Sequence, residues 1–169
     1  MTKQLTLEQL KELLQIQNDF DSRIKTINIV DTQTAYVVEF FEWFNTIETF
    51  KNWKKKPGKP IETQLDELSD MLAFGLSLVN QEKVSDEDLQ VGLGNISKDG
   101  YYYNKSQAAW DFMKDVSMIG LDPISAVITP LDIAYNIYSI DDLIKAYKKK
   151  MKRNHDRQNG TADTGKGYV

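Results

Sequence analysis

The chain has 169 residues, 41% of them hydrophobic and 27% charged, with a net charge of −4, as expected of a single globular domain without broad nucleic-acid binding. It holds no cysteine and one histidine, His155, which excludes disulfides, thiolate centres and multi-histidine zinc sites and leaves oxygen as the ligand of any metal. No apolar run approaches the ~20 residues of a membrane span, and the opening MTKQLTLEQL lacks the apolar core of a signal peptide, so a cytoplasmic protein with no membrane partner is expected.

The first predicted helix runs from about Leu7 to Ile27. Thr6 with Gln9 fits a capping box, and Leu7, Leu10, Leu14, Phe20, Ile24 and Ile27 form most of an apolar face. The second runs from about Thr34 to Trp53, capped by Asp31 or Thr32, with Tyr36, Phe40, Trp43, Phe44 and Ile47 on its buried side. Lys56-Pro57-Gly58-Lys59-Pro60 ends it, because proline and glycine punctuate helices. The third starts near Pro60 and carries the stripe Ile61, Leu65, Leu68, Leu72, Leu76 and Val79. Asp86-Glu87-Asp88 can open a short helix, while Gly92, Gly94 and Gly100 suggest loops around it. Further helices are expected over Gln107–Ile119, Pro123–Tyr138 and Ile140–Asn154. No strand alternation is evident, so the fold class is all-α, a helical bundle. Residues 1–158 are expected to form one domain that would carry any catalysis, and 159–169, NGTADTGKGYV, a glycine-rich tail expected to be flexible until it orders over a ligand.

Two acidic couplets carry the chemistry. Glu39 and Glu42 stand in VEFFEWF, and Glu67 and Asp70 in LDELSDML. Residues three apart share a helix face. Two helices joined by a short connection should pack as a hairpin, bringing four carboxylates together. Such a cluster resists full ionisation unaided, and a hard cation such as Mg²⁺ relieves it. Helices commonly expose carboxylates at this spacing; what distinguishes these is their strongly apolar surroundings. Gln15 and Asn18, in LLQIQND, offer donors and acceptors of the kind that read a base edge, though exposed amides on helices are common. Lys150, Asn154 and Arg157 share one face of the last helix and suit phosphate oxygens, with a merely basic, frayed terminus as the simpler reading. Phe74, one turn after Asp70, falls beside the acidic cluster.

Taken in order, these segments resemble the dimeric dUTPases of the all-α nucleoside triphosphate pyrophosphatase superfamily, which also holds the MazG-like enzymes. LLQIQND resembles the first motif, implying uracil and nucleoside contacts from Gln15 and Asn18. VEFFEW and LDELSDMLAF resemble the E-x-x-E and E-x-x-D pairs. FKNWKKK resembles the segment that carries a tryptophan near the nucleotide, here Trp53. Phe74 matches the aromatic against the deoxyribose, and YKKKMKRNHDRQNG the closing basic motif, with Met151 where asparagine is common. Tyr168 matches a late tyrosine of the tail.

The resemblance implies hydrolysis of dUTP, and of dUDP as a possible second substrate, to dUMP by a metal-activated water. Glu39, Glu42, Glu67 and Asp70 would hold more than one Mg²⁺, with Glu42, beside Glu39, as the base. Lys150, Arg157 and Lys56 would neutralise the phosphates. The resemblance also implies a homodimer. The likeness is to compact phage-encoded members, which would place the protein in the host cytoplasm. Two alternatives follow: a broader MazG-like pyrophosphatase, or a phage protein acting chiefly by binding a DNA-binding repressor of pathogenicity islands.

Overall fold

The computed structural model describes residues 4–98 and 105–167. Among the described residues seven helices follow in order: α1 (Leu7–Asp21), α2 (Ile29–Ile47), α3 (Ile61–Glu82), α4 (Asp86–Gly94), α5 (Ser106–Ile119), α6 (Pro123–Ile137) and α7 (Ile140–Gln158). No strand occurs among the described residues, in keeping with the all-α expectation. Tyr101–Tyr103, Gly100 and Tyr168 lie outside the described residues.

α3 is the axis of the bundle, in contact with α1, α2, α6 and α7 and packed most extensively against α2. Its buried positions encircle much of the helix, from Leu65 and Leu68 through Met71, Leu72 and Leu76 to Val79, as a helix covered on several sides requires. Gly75 lets α6 come close: a Cβ there would lie 2.6 Å from the Ala126 carbonyl oxygen. Pro130, four residues on, has no N–H to donate to that carbonyl, so the two helices meet where α6 lacks a backbone bond. α7 contributes Ile140, Leu143, Tyr147 and Met151, a 3-4-4 stripe. Met151 is 2% exposed, so the position where the related motif has asparagine is here a core residue.

Helix boundaries differ from expectation where side chains cap earlier than apolar periodicity ends. α1 begins with the expected capping box of Thr6 and Gln9 but stops at Asp21, and the Ser22 hydroxyl donates to the Asp19 carbonyl. Asn28, rather than Asp31 or Thr32, caps α2, its side chain accepting from the Asp31 N–H. α2 ends at Ile47, six residues before Trp53, because Glu48 adopts a left-handed conformation (φ 55°). Its carboxylate then accepts Lys51 Nζ at 3.0 Å, Lys54 Nζ at 2.6 Å and the Gly58 N–H at 3.0 Å. Gly92 and Gly94 belong to α4 rather than to loops. A Cβ at Gly92 would lie 2.7 Å from Ile124 Cγ2, so glycine serves α4–α6 packing.

Candidate active site

α2 and α3 bring Glu39, Glu67 and Asp70 together, with one carboxylate oxygen of each within 4.8 Å of the others. Glu42 is exposed and lies outside this trio, although its charge still bears on all three. A step of three residues turns the helix about 300°, short of a full turn by about 60°. That offset carries position 42 from the interhelical seam to its rim.

Burial drives the electrostatics. It pushes Glu39 up to about 8, helped by the charges of Asp70, Glu42 and Glu67 and opposed by Lys150. Glu67 and Asp70 are raised for the same first reason. The buried Glu39 Oε2 has no hydrogen-bond partner, a costly state for a carboxylate. Lys150 is the internal counter-ion, with Nζ 2.6 Å from Asp70 and 2.9 Å from Asp66. Burial works against its charge, but Asp70 and Asp66 outweigh that and raise its pKa. Three converging oxygen donors, one of them orphaned, suit a hard divalent cation.

The trio opens into a cavity of about 590 Å³ that Glu39 and Asp70 line together with Lys150, Asn154, Arg157 and Phe74. Arg23 and Gln158 also line it. A second cavity of about 320 Å³ adjoins it, sharing Phe20, Ile24, Asp70, Phe74 and Asn154 as a common wall. Gln17, Asp21, Asn28, Thr32 and Ser77 line its far side. Gln17 and Asp21 are buried: Gln17 Nε2 donates to Asp21 Oδ1 at 2.8 Å, and the Tyr147 hydroxyl donates to Gln17 Oε1 at 3.1 Å. Asp21 Oδ2 has no partner. Burial pushes the Asp21 pKa up, with the neighbouring Ser77 hydroxyl and the Gln17 amide holding it back.

A larger cavity lined by Lys150 and Arg157 beside the carboxylates adjoins a smaller one with fixed hydrogen-bond donors and acceptors. A family profile described as dUTPase matches residues 9–161. The chain belongs to the dUTPase family. Its activity is therefore that of a hydrolase acting on dUTP. No curated protein matches the chain.

Of the residues that the dUTPase reading of the sequence singled out, Glu39, Asp70, Phe74, Lys150, Asn154 and Arg157 line the two cavities, Glu67 joins Glu39 and Asp70 in the trio, and the exposed Glu42 lines neither cavity. Gln15 and Asn18 do not meet them. Both are exposed on α1 and line a separate groove with Lys11, Asn80 and Lys83, and Gln15 Nε2 donates to Asp19 at 2.7 Å. The inward stripe of α1 is Leu10, Leu13, Gln17 and Asp21; positions 15 and 18 fall off it. Trp53 is 72% exposed and Lys56 is exposed, and neither lines a cavity described above. Gln17 stood in the amide run of LLQIQND without a role of its own, and Asp21, Arg23, Asp66 and Asp163 went unnoticed in the sequence. The 3-4-4 spacing of Leu10, Leu13, Gln17 and Asp21 was the available signal for the first two.

Proposed function

We propose that the chain hydrolyses dUTP to dUMP and pyrophosphate with Mg²⁺, the triphosphate lying in the larger chamber and uracil in the smaller. The observation that carries this reading is the shared wall: Asp70, Phe74 and Asn154 border both chambers, so a ligand with phosphates at one end and a base at the other spans them.

Glu39, Glu67 and Asp70 would hold Mg²⁺, which when bound neutralises phosphate charge and lowers the pKa of water. Lys150, now on Asp70 and Asp66, and Arg157 supply positive charge to the phosphates as the bond between the α and β phosphates breaks. Glu42, on the open rim, accepts the proton lost by the attacking water. Phe74, half-buried on the shared wall, packs against the sugar.

Base selection belongs to Asp21 and Gln17. Asp21 Oδ2 accepts from uracil N3–H. Cytosine presents an acceptor at N3, so its lone pair meets a carboxylate. A site built around such a bond discriminates far better than an apolar wall, which yields only about 10–200-fold per methylene-sized group. This favours dUTP over the substrate range of a broader pyrophosphatase.

A homodimer fits the surface. Val38 and Phe41 on α2 and Trp110 on α5 are 46%, 42% and 60% exposed. An apolar cleft of about 480 Å³, lined by Phe41, Phe44, Phe50, Trp110 and Met113, lies beside them, a surface that a second copy could cover.

The experiment is pyrophosphate release from dUTP, dCTP and dTTP with Mg²⁺. Turnover confined to dUTP is expected. Comparable rates on all three would remove the uracil assignment and favour the broader pyrophosphatase.

A further inference from the structure

α7 does not simply fray. Asn159 N–H donates to the His155 carbonyl, Gly160 takes a positive φ of 71°, and the Thr161 and Ala162 N–H groups both turn back to the Asp156 carbonyl. The Thr161 hydroxyl donates to the same carbonyl at 3.0 Å. This doubled-back turn delivers Asp163 to the helix it has just left. Asp163 has a φ of 51°, a conformation that L residues other than Asn and Asp rarely adopt.

The Asp163 carboxylate bridges two arginines one turn apart. Arg153 donates to it through Nε at 3.2 Å and Nη2 at 3.1 Å, a bidentate pair, and Arg157 donates through Nε at 2.5 Å. On its other flank Arg157 Nη1 donates to Asn154 Oδ1 at 2.9 Å. The two arginines hold Asp163 at about 2, well below the usual carboxylate range, so the bridge persists at neutral pH. The Arg157 guanidinium, on the cavity wall with Lys150 and Asn154, is thus gripped on both flanks. Arg153 balances the added carboxylate, so Asp163 and the two arginines together keep a net positive charge.

We propose that Asp163 is a positioning residue for the triphosphate: by bridging Arg153 and Arg157 it pins the tail and fixes the Arg157 guanidinium in its phosphate-facing pose before substrate arrives. This rests on the dUTP reading of the larger chamber. An unheld arginine must be ordered when it binds phosphate, and that ordering lowers affinity. A planar guanidinium already oriented meets a phosphate bidentately. The effect falls on the phosphate end of the ligand and not on its base.

The test measures binding of pyrophosphate and of deoxyuridine by calorimetry, each with Mg²⁺, and KM for dUTP, in wild type, Asp163→Ala, Arg153→Ala, Arg157→Ala and Arg157→Ala/Asp163→Ala. Loss of one charge-assisted contact predicts that Asp163→Ala weakens pyrophosphate and raises the dUTP KM by about tenfold, with deoxyuridine binding unchanged. Arg153→Ala shifts both the same way by less. In an Arg157→Ala background, removing Asp163 has no further effect. Pyrophosphate binding within twofold of wild type, or tighter as if the carboxylate were only a competitor for Arg157, overturns the proposal. So does a parallel loss of deoxyuridine binding, which would mark a general structural role. Absence of dUTP turnover in the wild type is a different result: it would overturn the function and not the bridge.

Discussion

Replacing Glu39 with Gln should stabilise the metal-free protein even as it removes activity. In the unfolded chain this carboxyl ionises near 4.5, whereas in the fold it does so at about 8. Between those values the folded state keeps a proton that the unfolded state has lost, so stability falls as pH rises from about 4.5 and levels off above about 8. The full rise is worth at most about 5 kcal/mol. Glu39 is only partly buried, and solvent screening reduces the contribution to roughly 1–2 kcal/mol. Urea unfolding in chelator at pH 4.5, 7 and 9 measures it. The Glu39→Gln protein should match wild type at the lowest pH and exceed it by that amount at the highest, with a flatter pH profile, because the amide neither ionises nor repels Asp70. A variant less stable than wild type at pH 9, or one with an unchanged profile, would refute the charge-repulsion account of the trio.

Three further outcomes follow from the geometry. Asp21→Asn, which puts an amide in place of the carboxylate proposed to accept uracil N3–H, should narrow the dUTP over dCTP preference by about 10–100-fold in kcat/KM, read from competing-substrate turnover. Gly75→Ala should cost about 1–3 kcal/mol in urea unfolding, since its Cβ would fall 2.6 Å from the Ala126 carbonyl oxygen. Glu48→Gln should speed tryptic cleavage within residues 51–59, because the carboxylate that ties Lys51, Lys54 and Gly58 together is lost; an unchanged digestion rate would mean that the loop is held by other contacts.

Much of this fold was legible because apolar periodicity and packing agree. The α3 stripe from Leu65 to Val79 is buried as its spacing requires, and the α2–α3 pairing places Glu39 against Glu67 and Asp70. What periodicity could not convey was phase at finer grain. Equal i, i+3 spacing put Glu39 in the seam and Glu42 on its rim. In α1 the amides that attract notice in LLQIQND, Gln15 and Asn18, face outward, whereas Gln17, whose polarity hides its membership of the Leu10–Leu13 stripe, faces in. The α2 terminus at Ile47 depends on a left-handed Glu48 gathering two lysines, and the bridge at Asp163 depends on a reversal after α7. Both are long-range or conformational facts that composition, glycine-rich in the second case, reads only as loop.

The most direct measurement is the rate of pyrophosphate release from dUTP as a function of Mg²⁺ concentration, in wild type and in Asp70→Asn. Saturable dependence on Mg²⁺, no turnover in chelator, and a loss of at least about 100-fold in Asp70→Asn are predicted. Turnover in chelator, or near-normal turnover by Asp70→Asn, would contradict the assignment of the Glu39–Glu67–Asp70 cluster as the centre of the reaction.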